Sequence, residues 1–599
     1  MSTMRSNATA TPEELLARFG LESFRPGQRE AVQAALDGRD SLVVMPTGGG
    51  KSLCYQLPAL ADVGLVVVVS PLIALMSDQL RRLQDAGVRA AMLASGMAEG
   101  HNEAMLREIE SGEAALVLAA PERFASGAFR RALSSRQVGL FVVDEAHCVA
   151  EWGHDFRPDY LRLGEAIESL GRPAVMAATA TATPRVSIEI AERLGLREPV
   201  QVRSGFDRPN LVFDVASVEG KGAVGRKRAA LMHVLSTAES LPAIVYAGTR
   251  RDTEMLAEEI GAAGISTVAY HAGLAPERRR AAQESFMSGG AEVVVATNAF
   301  GMGVDKADVR TVAHWALPTS LEAYYQEAGR GGRDGRPGRA LLLASRMDLG
   351  RLIRFIKERE TSVEDVRSYV GRLRRAADGG GVLAIGHGEL GERDRVLLSI
   401  AERAGAVELE PGGPEGLLVR LTGQGSPRLA GQAIRAARDR SWESYRSIER
   451  YSSDGERCRR RQILDHFGDN EPTKPTGRCC DVCDPDEALA AAMAAAPAAG
   501  RGRSRRGAAS SRPRRGGSAP EAPAFDVPED QFEALRIWRM ERSEGKPAFT
   551  VASDATLREL LHRRPSTRPE LLAVRGIGPS FCEKHGDSVL AALRSAAAE

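Results

Sequence analysis

Hydrophobic residues between positions 11 and 345 fall into short β-branched runs that alternate with longer amphipathic segments. The runs have the length and the near-continuous apolar character of buried parallel strands, and the segments between them have helical periodicity. Ten runs follow this pattern: 42–45, 65–70, 115–120, 140–145, 174–179, 243–248, 266–271, 292–297, 311–315 and 340–345. One sheet rarely contains so many strands, so the pattern predicts two doubly wound α/β domains with a join near 205–215.

The pattern changes after residue 350. Residues 352–377 and 394–405 have helical periodicity, and residues 406–423 alternate as a hairpin around a Gly/Pro turn, which predicts a winged-helix-like module. Ala, Gly, Pro, Ser and Arg dominate residues 488–525, which predicts a disordered basic linker. Helical periodicity returns at 528–595 and predicts a small all-helical domain. The predicted boundaries are 11–207 and 208–350 for the α/β domains, 351–440 for the winged-helix-like module, 441–486 for a cysteine-containing module, 487–525 for the linker and 526–599 for the last domain.

Composition and charge limit the classes of protein to which this chain can belong. Hydrophobic residues make up 43% of the 599 residues and charged residues 27%, which is typical of a soluble globular protein and excludes a fibrous or wholly disordered chain. The 80 basic residues nearly balance the 79 acidic ones, so any nucleic-acid contact must come from local patches. The longest apolar stretch, 64–76, is interrupted by Ser70 and Pro71, and the N-terminus lacks the apolar region of a signal peptide. We therefore expect a cytoplasmic protein with no membrane partner.

Four of the seven cysteines lie close together in the sequence, at Cys458, Cys479, Cys480 and Cys483. A C-x2-C pair with two further cysteines offers the four thiolates of a structural Zn²⁺ site, and an odd total argues against a disulfide framework. A redox pair is the alternative. Because Cys479 and Cys480 are adjacent, the sequence leaves open which of them is the stronger ligand.

A glycine-rich loop, MPTGGGKS at 45–52, follows the first predicted strand and precedes a helix. Glycines let backbone N–H groups approach phosphate oxygens, a lysine supplies charge for the β- and γ-phosphates, and a serine hydroxyl can bind Mg²⁺. The candidate nucleotide-binding residues of this loop are Thr47, Gly48, Gly49, Gly50, Lys51 and Ser52. Met45 replaces the first glycine of the strict phosphate-loop pattern, so a glycine-rich turn without a nucleotide is the alternative.

Two adjacent carboxylates, Asp144 and Glu145, end the apolar run in VVDEAHC (142–148). The carboxyl ends of parallel strands meet at one edge of a sheet, so this pair should face the phosphates held by Lys51. We expect Asp144 to hold Mg²⁺ directly or through water, and Glu145 to polarise the attacking water. A pair of acidic residues that merely begins a loop is the alternative.

Six segments resemble the RecQ family of superfamily 2 DNA helicases in their sequence, order and spacing. They are FGLESFRPGQ (19–28), MPTGGGKSLCYQLPAL (45–60), VVDEAHCVAEWGHDFRPDY (142–160), ATATATP (178–184), ATNAFGMGVDK (296–306) and YYQEAGRGGRDG (324–335). The resemblance implies two RecA-like domains that bind and hydrolyse ATP, with Arg25 and Gln28 at the adenine. It also implies a catalytic set made of Lys51, Asp144, Glu145, His147, Gln326, Arg330 and Arg333.

By the same resemblance, Arg330 and Arg333 reach the γ-phosphate from the second domain. Two arginines three residues apart would share one face of a helix. An arginine that stabilises transition-state charge from across the cleft couples hydrolysis to closure of the domains. A solvated basic helix is the alternative.

The segment WGHDFRPDY (152–160) resembles the aromatic-rich loop with which that family senses single-stranded DNA and signals to the ATP site. Bases stack on aromatic rings whatever their sequence. The candidate DNA-coupling residues are Trp152, His154, Phe156 and Arg157. Packing of these rings in a core is the alternative. In ATAT (178–181), the hydroxyls of Thr179 and Thr181 are expected to link nucleotide and DNA.

The C-terminal part resembles the family with one difference in module order. Residues 532–586 resemble the HRDC domain, in which GIG (576–578) either exposes backbone N–H groups to a phosphate or only forms a tight turn. The family usually has a winged helix after the zinc module, whereas the predicted winged helix here precedes the cysteines. Its hairpin, 406–421, has no aromatic residue at the tip. The resemblance therefore does not identify the element that separates strands.

Together the motifs imply an ATP- and Mg²⁺-dependent 3′→5′ DNA helicase of repair or recombination with a structural Zn²⁺ ion. Its expected partners are single-stranded DNA, forked or junction duplex DNA and a single-strand-binding protein, at the bacterial nucleoid. One alternative is a DNA-stimulated ATPase that clamps or anneals strands without efficient unwinding. The other is an RNA remodeller, which the aromatic segment and the HRDC-like domain disfavour.

Overall fold

A computed structural model of the protein describes residues 10–46, 48–61, 63–71, 73–94, 97–98, 100–149, 160, 162–301, 306–386, 389–411, 416–496, 527–542, 551–552, 554–572, 574, 577 and 579–596. The chain divides into two units, one up to residue 501 and one from residue 502 onwards, and each is described by itself. Across these described ranges, the first unit contains all the β-strands and the second contains only helices.

The first domain is a seven-stranded parallel sheet covered by helices. Its strands are β1 (Ser41–Val44), β2 (Leu65–Val69), β3 (Ala90–Leu93), β4 (Leu116–Ala119), β5 (Val138–Val143), β6 (Ala174–Thr179) and β7 (Val200–Arg203). Their order across the sheet is β3-β4-β2-β5-β6-β1-β7, and every pair is parallel. The helices are α1 (Pro12–Arg18), α2 (Gln28–Leu36), α3 (Lys51–Gln56), α4 (Ile73–Asp85), α5 (His101–Ser111), α6 (Gly127–Ser134), α7 (Leu163–Ser169) and α8 (Pro184–Leu194).

Both faces of this sheet are buried, which explains the continuous apolar runs of its strands. Alternate residues of β1 enter two different hydrophobic clusters, with Leu42 and Val44 in one and Val43 in the other. The five strands predicted for this domain are confirmed. The prediction missed β3, which has no β-branched residue, and β7, in which valines alternate with the polar residues Gln201 and Arg203.

The second domain contains a six-stranded sheet that is also entirely parallel. Its strands are β8 (Leu211–Val218), β9 (Ala243–Tyr246), β10 (Thr267–Tyr270), β11 (Val293–Ala296), β12 (Thr311–His314) and β13 (Gly338–Ser345). Their order is β10-β11-β9-β12-β13-β8. Its helices are α9 (Ala223–Leu235), α10 (Arg250–Ala262), α11 (Pro276–Ser288) and α12 (Leu321–Ala328). The five predicted strands of this domain are confirmed, and the two doubly wound domains have the predicted fold.

A three-stranded antiparallel sheet follows, in the order β14-β16-β15. The elements of this region are α13 (Arg346–Glu358), α14 (Val363–Ala376), β14 (Val382–Gly386), α15 (Glu392–Arg403), β15 (Val407–Pro411) and β16 (Gly416–Leu421). The predicted hairpin is confirmed, and its tip at 412–415 lies outside the described residues. The single helix expected over 352–377 is two helices, because Ser362 caps α14 in a reciprocal capping box with Asp365.

The cysteine-containing region begins with the longest helix of the described chain, α16 (Pro427–Ser453). The predicted boundary at residue 440 therefore falls inside a helix. Two further helices follow, α17 (Arg459–Phe467) and α18 (Glu487–Ala494). The prediction of a disordered linker from residue 487 is wrong for α18, because buried Leu489 packs it into the hydrophobic cluster of the second domain. Residues 497–526, which include the rest of the predicted linker, lie outside the described residues.

The second unit is helical throughout its described residues, as predicted. Its helices are α19 (Glu529–Glu541), α20 (Asp554–Arg563), α21 (Arg568–Leu572) and α22 (Pro579–Ala596). Leu535, Leu557 and Val589 are fully buried in its own hydrophobic cluster. No helix in the described part of either unit combines the length and apolar character needed to cross a bilayer.

Candidate functional site

The glycine-rich loop connects the carboxyl end of β1 to α3. Gly48 and Gly50 have φ angles of +84° and +81°, a region that favours glycine. A Cβ on Gly50 would also lie 2.3 Å from Nε2 of Gln28, so no larger residue fits there without a rearrangement. Thr47, another candidate of this loop, lies outside the described residues.

Arg25 and Gln28 hold this loop from the side. Gln28 is 2% exposed, and its Nε2 donates to the carbonyl oxygens of Gly50 at 3.0 Å and Gly49 at 3.3 Å. Its Oε1 accepts from the backbone N–H of Arg25 at 2.8 Å, and the Arg25 guanidinium donates to the carbonyl of Gly48. The two residues that the resemblance assigns to adenine therefore contact the glycine loop directly.

An open cavity of about 610 Å³ is lined by residues of α1 and of the segment that precedes Arg25 in the chain. Leu21 and Phe24 provide apolar surface in its lining, and Glu13 and Ser23 provide polar groups. Its lining residues all precede Arg25, so no residue of the glycine loop lines it.

The predicted catalytic carboxylates lie at the same edge of the sheet as the loop. Asp144 follows β5 directly and is 6% exposed. Burial and the neighbouring charge of Glu145 raise the pKa of Asp144 to about 6, and the Lys51 ammonium opposes this rise. The Lys51 Nζ itself lies 3.4 Å from the carbonyl oxygen of Met45, at the start of the loop. The structure thus brings together a lysine and two carboxylates from separate motifs.

Glu145 and His147 form a second part of this edge. Nδ1 of His147 lies 3.3 Å from Oε2 of Glu145 and 2.8 Å from the Thr179 hydroxyl at the end of β6. Glu145 has a φ angle of +48°, which is unusual for a residue with a side chain and occurs most often at functional sites. The Tyr160 hydroxyl donates to the carbonyl oxygen of Asp144 at 3.0 Å.

The second domain contributes the turn 329–335 that follows α12. An ideal Cβ on Gly48 would lie 3.8 Å from Cγ of Arg333, so this arginine reaches the glycine loop of the first domain. Arg330 is 5% exposed and hydrogen bonds to the Tyr246 phenol. The expectation that the two arginines share a helical face is wrong, because α12 ends at Ala328. Gln326 lies in the last turn of α12.

Several predicted residues lie outside the described residues. They are the DNA-coupling candidates Trp152, His154, Phe156 and Arg157, and the glycines of the predicted phosphate-binding turn, Gly576 and Gly578. Of the aromatic segment the structure describes Tyr160, and Val149 is the last described residue before it. Both are buried, and Tyr160 contacts the backbone of Asp144. The last residue of the segment therefore touches the edge that carries Asp144 and Glu145.

All four predicted metal ligands come together. The sulfur atoms of Cys458, Cys479, Cys480 and Cys483 lie within 4.8 Å of one another. The Sγ of Cys458 is 3.7 Å from that of Cys479 and 4.0 Å from that of Cys480. Tetrahedral Zn–S bonds of about 2.3 Å place sulfurs about 3.8 Å apart, so this donor set fits Zn²⁺. Both adjacent cysteines belong to the cluster.

The cysteine turn is attached to the edge of the second sheet. The N–H of Phe213 in β8 donates to the carbonyl of Cys479 at 3.2 Å, and the N–H of Val215 donates to the Asp481 carboxylate at 3.2 Å. Arg459, which follows the first cysteine, pairs with Asp481 at 3.0 Å. The cysteine turn is therefore held against β8, the edge strand of the second sheet.

Two residues that contact the turn 329–335, called the arginine turn below, were not predicted from the sequence. Arg208 and Asn210 lie in the connection between the two α/β domains, and their side chains donate to backbone carbonyls of residues 329–336. The sequence feature that could have identified them is Arg-Pro-Asn at the predicted join of the two α/β domains.

Four family models match the chain. The first domain matches the DEAD/DEAH box helicase over residues 25–189, and the second matches the helicase conserved C-terminal domain over residues 226–335. The cysteine-containing region matches the RecQ zinc-binding model over residues 421–484. The second unit matches the HRDC domain over residues 529–593.

Curated relatives match over the same modules. The ATP-dependent DNA helicase RecQ of Bacillus subtilis is 32% identical over 96% of this chain and 97% of its own length. The protein of the same name from Pasteurella multocida is 31% identical over 95% of this chain and 91% of its own length. That from Haemophilus influenzae is 40% identical over 59% of this chain and 56% of its own length.

Proposed function

Because this chain belongs to the RecQ family of ATP-dependent DNA helicases, we propose that it couples ATP hydrolysis to 3′→5′ movement along single-stranded DNA and unwinds duplex DNA in repair or recombination. One observation supports the coupling most directly. Arg333 of the second domain lies beside Gly48 of the first, so a nucleotide on the glycine loop would contact both domains. Loss of the γ-phosphate would then change the separation of the domains.

Each group at the catalytic edge has a role in this reaction. The Lys51 ammonium and the backbone of Gly48–Gly50 hold the phosphates. Asp144 and Ser52 offer a carboxylate and a hydroxyl oxygen, the donor types that Mg²⁺ takes beside phosphates. Mg²⁺, when bound, neutralises charge on the phosphate oxygens. Glu145, oriented by His147 at 3.3 Å, positions the attacking water and accepts its proton.

The second domain completes the site when the cleft closes. Arg330 and Arg333 stabilise the charge that develops on the γ-phosphate, and Gln326 takes part from the end of α12. Arg25 and Gln28 bind the adenine, and in the structure their side chains hold the glycine loop. The aromatic residues Trp152 and Phe156 report bound single-stranded DNA to Asp144 through the short connection at Tyr160.

The proposed partners follow from the family. They are single-stranded DNA, forked or junction duplex DNA and a single-strand-binding protein, and the proposed location is the bacterial nucleoid. A second candidate function is a DNA-stimulated ATPase that clamps or anneals strands. The sequence of the hairpin tip, PGGPEG, favours it, because no aromatic ring is available there to stack on a base pair.

Strand displacement measured beside ATP hydrolysis tests the proposal. We expect unwinding of a duplex with a 3′ single-stranded tail, none of one with a 5′ tail, and neither unwinding nor hydrolysis with Lys51→Ala. Unwinding from the 5′ tail would contradict the polarity. Hydrolysis stimulated by DNA without strand displacement would favour the clamping ATPase, and stronger stimulation by RNA would favour the RNA remodeller.

A further inference from the structure

The connection between the two α/β domains grips the arginine turn. Nη1 of Arg208 donates to the carbonyl oxygen of Gly329 at 2.9 Å. Nη2 of the same guanidinium donates to the carbonyl oxygens of Gly331 at 2.7 Å and Gly332 at 3.3 Å. Arg330 lies between these carbonyls in sequence, and Arg333 follows the last of them. The Arg208 side chain therefore holds the backbone that carries Arg330 and Arg333, the two arginines expected to reach the γ-phosphate.

A second side chain of the connection supports the same turn. Nδ2 of Asn210 donates to the carbonyl oxygens of Gly332 and Arg336, both at 2.7 Å. Gly332 has a φ angle of +55°, and a Cβ there would lie 2.4 Å from the Asn210 amide nitrogen. The turn lies beyond the end of α12 and also has backbone hydrogen bonds, among them those from the N–H of Gly331 to Ala328 at 3.0 Å and from the N–H of Gly332 to Val309 at 2.8 Å. The side chains of the connection add hydrogen bonds to the carbonyl groups of the turn.

The connection is itself anchored by the zinc-binding region. Arg460, in the first turn of α17, is 1% exposed and donates to the carbonyl oxygens of Arg208 at 2.7 Å and Leu211 at 2.5 Å. It also pairs with the carboxylate of Asp207 at 2.5 Å. The backbone of Arg208 is thus held from one side while its guanidinium holds the arginine turn on the other.

The surroundings of Arg208 disfavour a positive charge, so the arginine at this position indicates a specific function. Burial lowers the pKa of its guanidinium; the Tyr325 phenol opposes this decrease, whereas the positive charges of Arg333, Arg25 and Arg460 add to it. A neutral side chain would avoid this repulsion. Only a guanidinium, however, offers forked donors that reach several carbonyl oxygens at once.

We propose that Arg208 is a positioning residue for ATP hydrolysis, which holds the turn 329–335 so that Arg330 and Arg333 meet the γ-phosphate. The inference rests on the proposed roles of those two arginines. In this proposal the connection between the domains contributes to the chemical step and does more than link the two domains.

Replacement of Arg208 by lysine tests this role. A single ammonium cannot reach all three carbonyl oxygens, so we expect Arg208→Lys to lower kcat for DNA-stimulated ATP hydrolysis at least tenfold. KM for ATP should change less than about twofold, because the glycine loop is untouched. Binding of ADP with aluminium fluoride, which mimics the transferring phosphoryl group, should weaken at least tenfold while binding of ADP alone is retained.

Arg172 provides a matched control. Its guanidinium also donates to backbone carbonyls, those of Pro173 at 2.8 Å and Gly195 at 2.6 Å, and it is largely buried. It lies at the amino end of the first sheet, opposite the glycine loop. Arg172→Lys should lower thermal stability about as much as Arg208→Lys and leave kcat within twofold of the wild type. An equal loss of kcat in both variants would show that Arg208 acts only through stability.

A double-mutant cycle distinguishes failure of this inference from failure of the proposed function. If Arg208 acts through the turn, the combination of Arg208→Lys with Arg330→Ala or Arg333→Ala should lower kcat little further than the alanine variant alone. Additive losses would contradict the positioning role. Inactive alanine variants beside a fully active Arg208→Lys would overturn this inference and leave the proposed function intact. Fully active alanine variants would overturn the proposed roles of Arg330 and Arg333 themselves.

Discussion

At the scale of single residues, the shifted pKa of Asp144 links the candidate site to the stability of the fold. Burial and the charge of Glu145 raise the pKa of Asp144 to about 6 from an ordinary value near 3.8. The folded protein therefore binds this proton more tightly than the unfolded chain does, and stability falls as pH rises from about 4 to about 6. Above pH 6 the ionised carboxylate destabilises the fold in full.

We therefore expect Asp144→Asn to raise the free energy of unfolding at pH 7.5, by an amount on the order of 1–3 kcal/mol, while ATP hydrolysis is lost. Urea titrations without Mg²⁺ check this at several pH values. The gain should shrink toward zero near pH 4. Asp40→Asn is the control, because Asp40 is equally buried but pairs with Arg172 at 2.6 Å, so its replacement should destabilise the protein. A loss of stability in Asp144→Asn would contradict the prediction.

Local motifs made some site residues predictable and left others hidden. Lys51, Asp144 and Glu145 belong to short patterns in which neighbouring residues share one task. Arg208 belongs to no such pattern, because its hydrogen-bond partners lie 121 to 124 residues further along the chain. Only the fold brings the connection against the turn.

At the scale of elements, ten strands were predicted from the sequence, and β3, β7 and β8 were missed. The missed strand β8 carries Asp214, which is 1% exposed and pairs with Arg339 and Arg478. A buried carboxylate with two arginine partners cannot be distinguished in sequence from a loop residue. Similarly, α18 shares its alanine-rich composition with the predicted linker, and tertiary packing of Leu489 identifies it as ordered structure.

The cysteine turn allows a prediction at this scale. Because a bound metal contributes folding free energy directly, removal of Zn²⁺ should open residues 458–483 and also release the edge of β8, which bonds to Cys479 and Asp481. Hydrogen exchange of the Phe213 and Val215 amides checks this, beside metal analysis that should find one zinc per chain.

Serine variants identify the ligands. Cys479→Ser and Cys480→Ser should each lower the zinc content and speed exchange at β8, because both sulfurs belong to the cluster. Cys582→Ser, in the separate C-terminal unit, should change neither quantity. Full zinc content in one of the adjacent variants would show that its sulfur is no ligand.

At the scale of the whole molecule, the zinc-binding region contacts both α/β domains. Its helix α16 contacts the first domain through Arg440, which pairs with Glu189 at 2.7 Å. It contacts the second domain through Ser447, which accepts from the N–H of Leu321 at 3.3 Å. The order of the modules was predictable from the sequence. Their docking was not, because it depends on contacts between residues that are far apart in the sequence, such as the ring pairs Phe206–Phe467 and Tyr324–Tyr451.

The last prediction concerns the arginine-rich segment that precedes the HRDC domain. Seven arginines lie between residues 501 and 515, and residues 488–520 contain no acidic residue. Each phosphate neutralised on a single strand releases a counterion and adds about −0.7 to the slope of log affinity against log salt. We expect replacement of the seven arginines by serine to weaken binding of single-stranded DNA and to flatten this slope by several units.

The replacement keeps the length of the segment and the HRDC domain, so it separates charge from tethering. The rate of ATP hydrolysis at saturating DNA should stay unchanged, because Lys51 and Asp144 are untouched. Unwinding should lose processivity, since the segment raises the local concentration of DNA near the motor. Deletion of residues 497–599, which keeps α18, should weaken binding at least as much. If the salt slope of the serine variant equals that of the intact protein, the segment is only a spacer, and the contacts that hold DNA outside the motor must come from the HRDC domain alone.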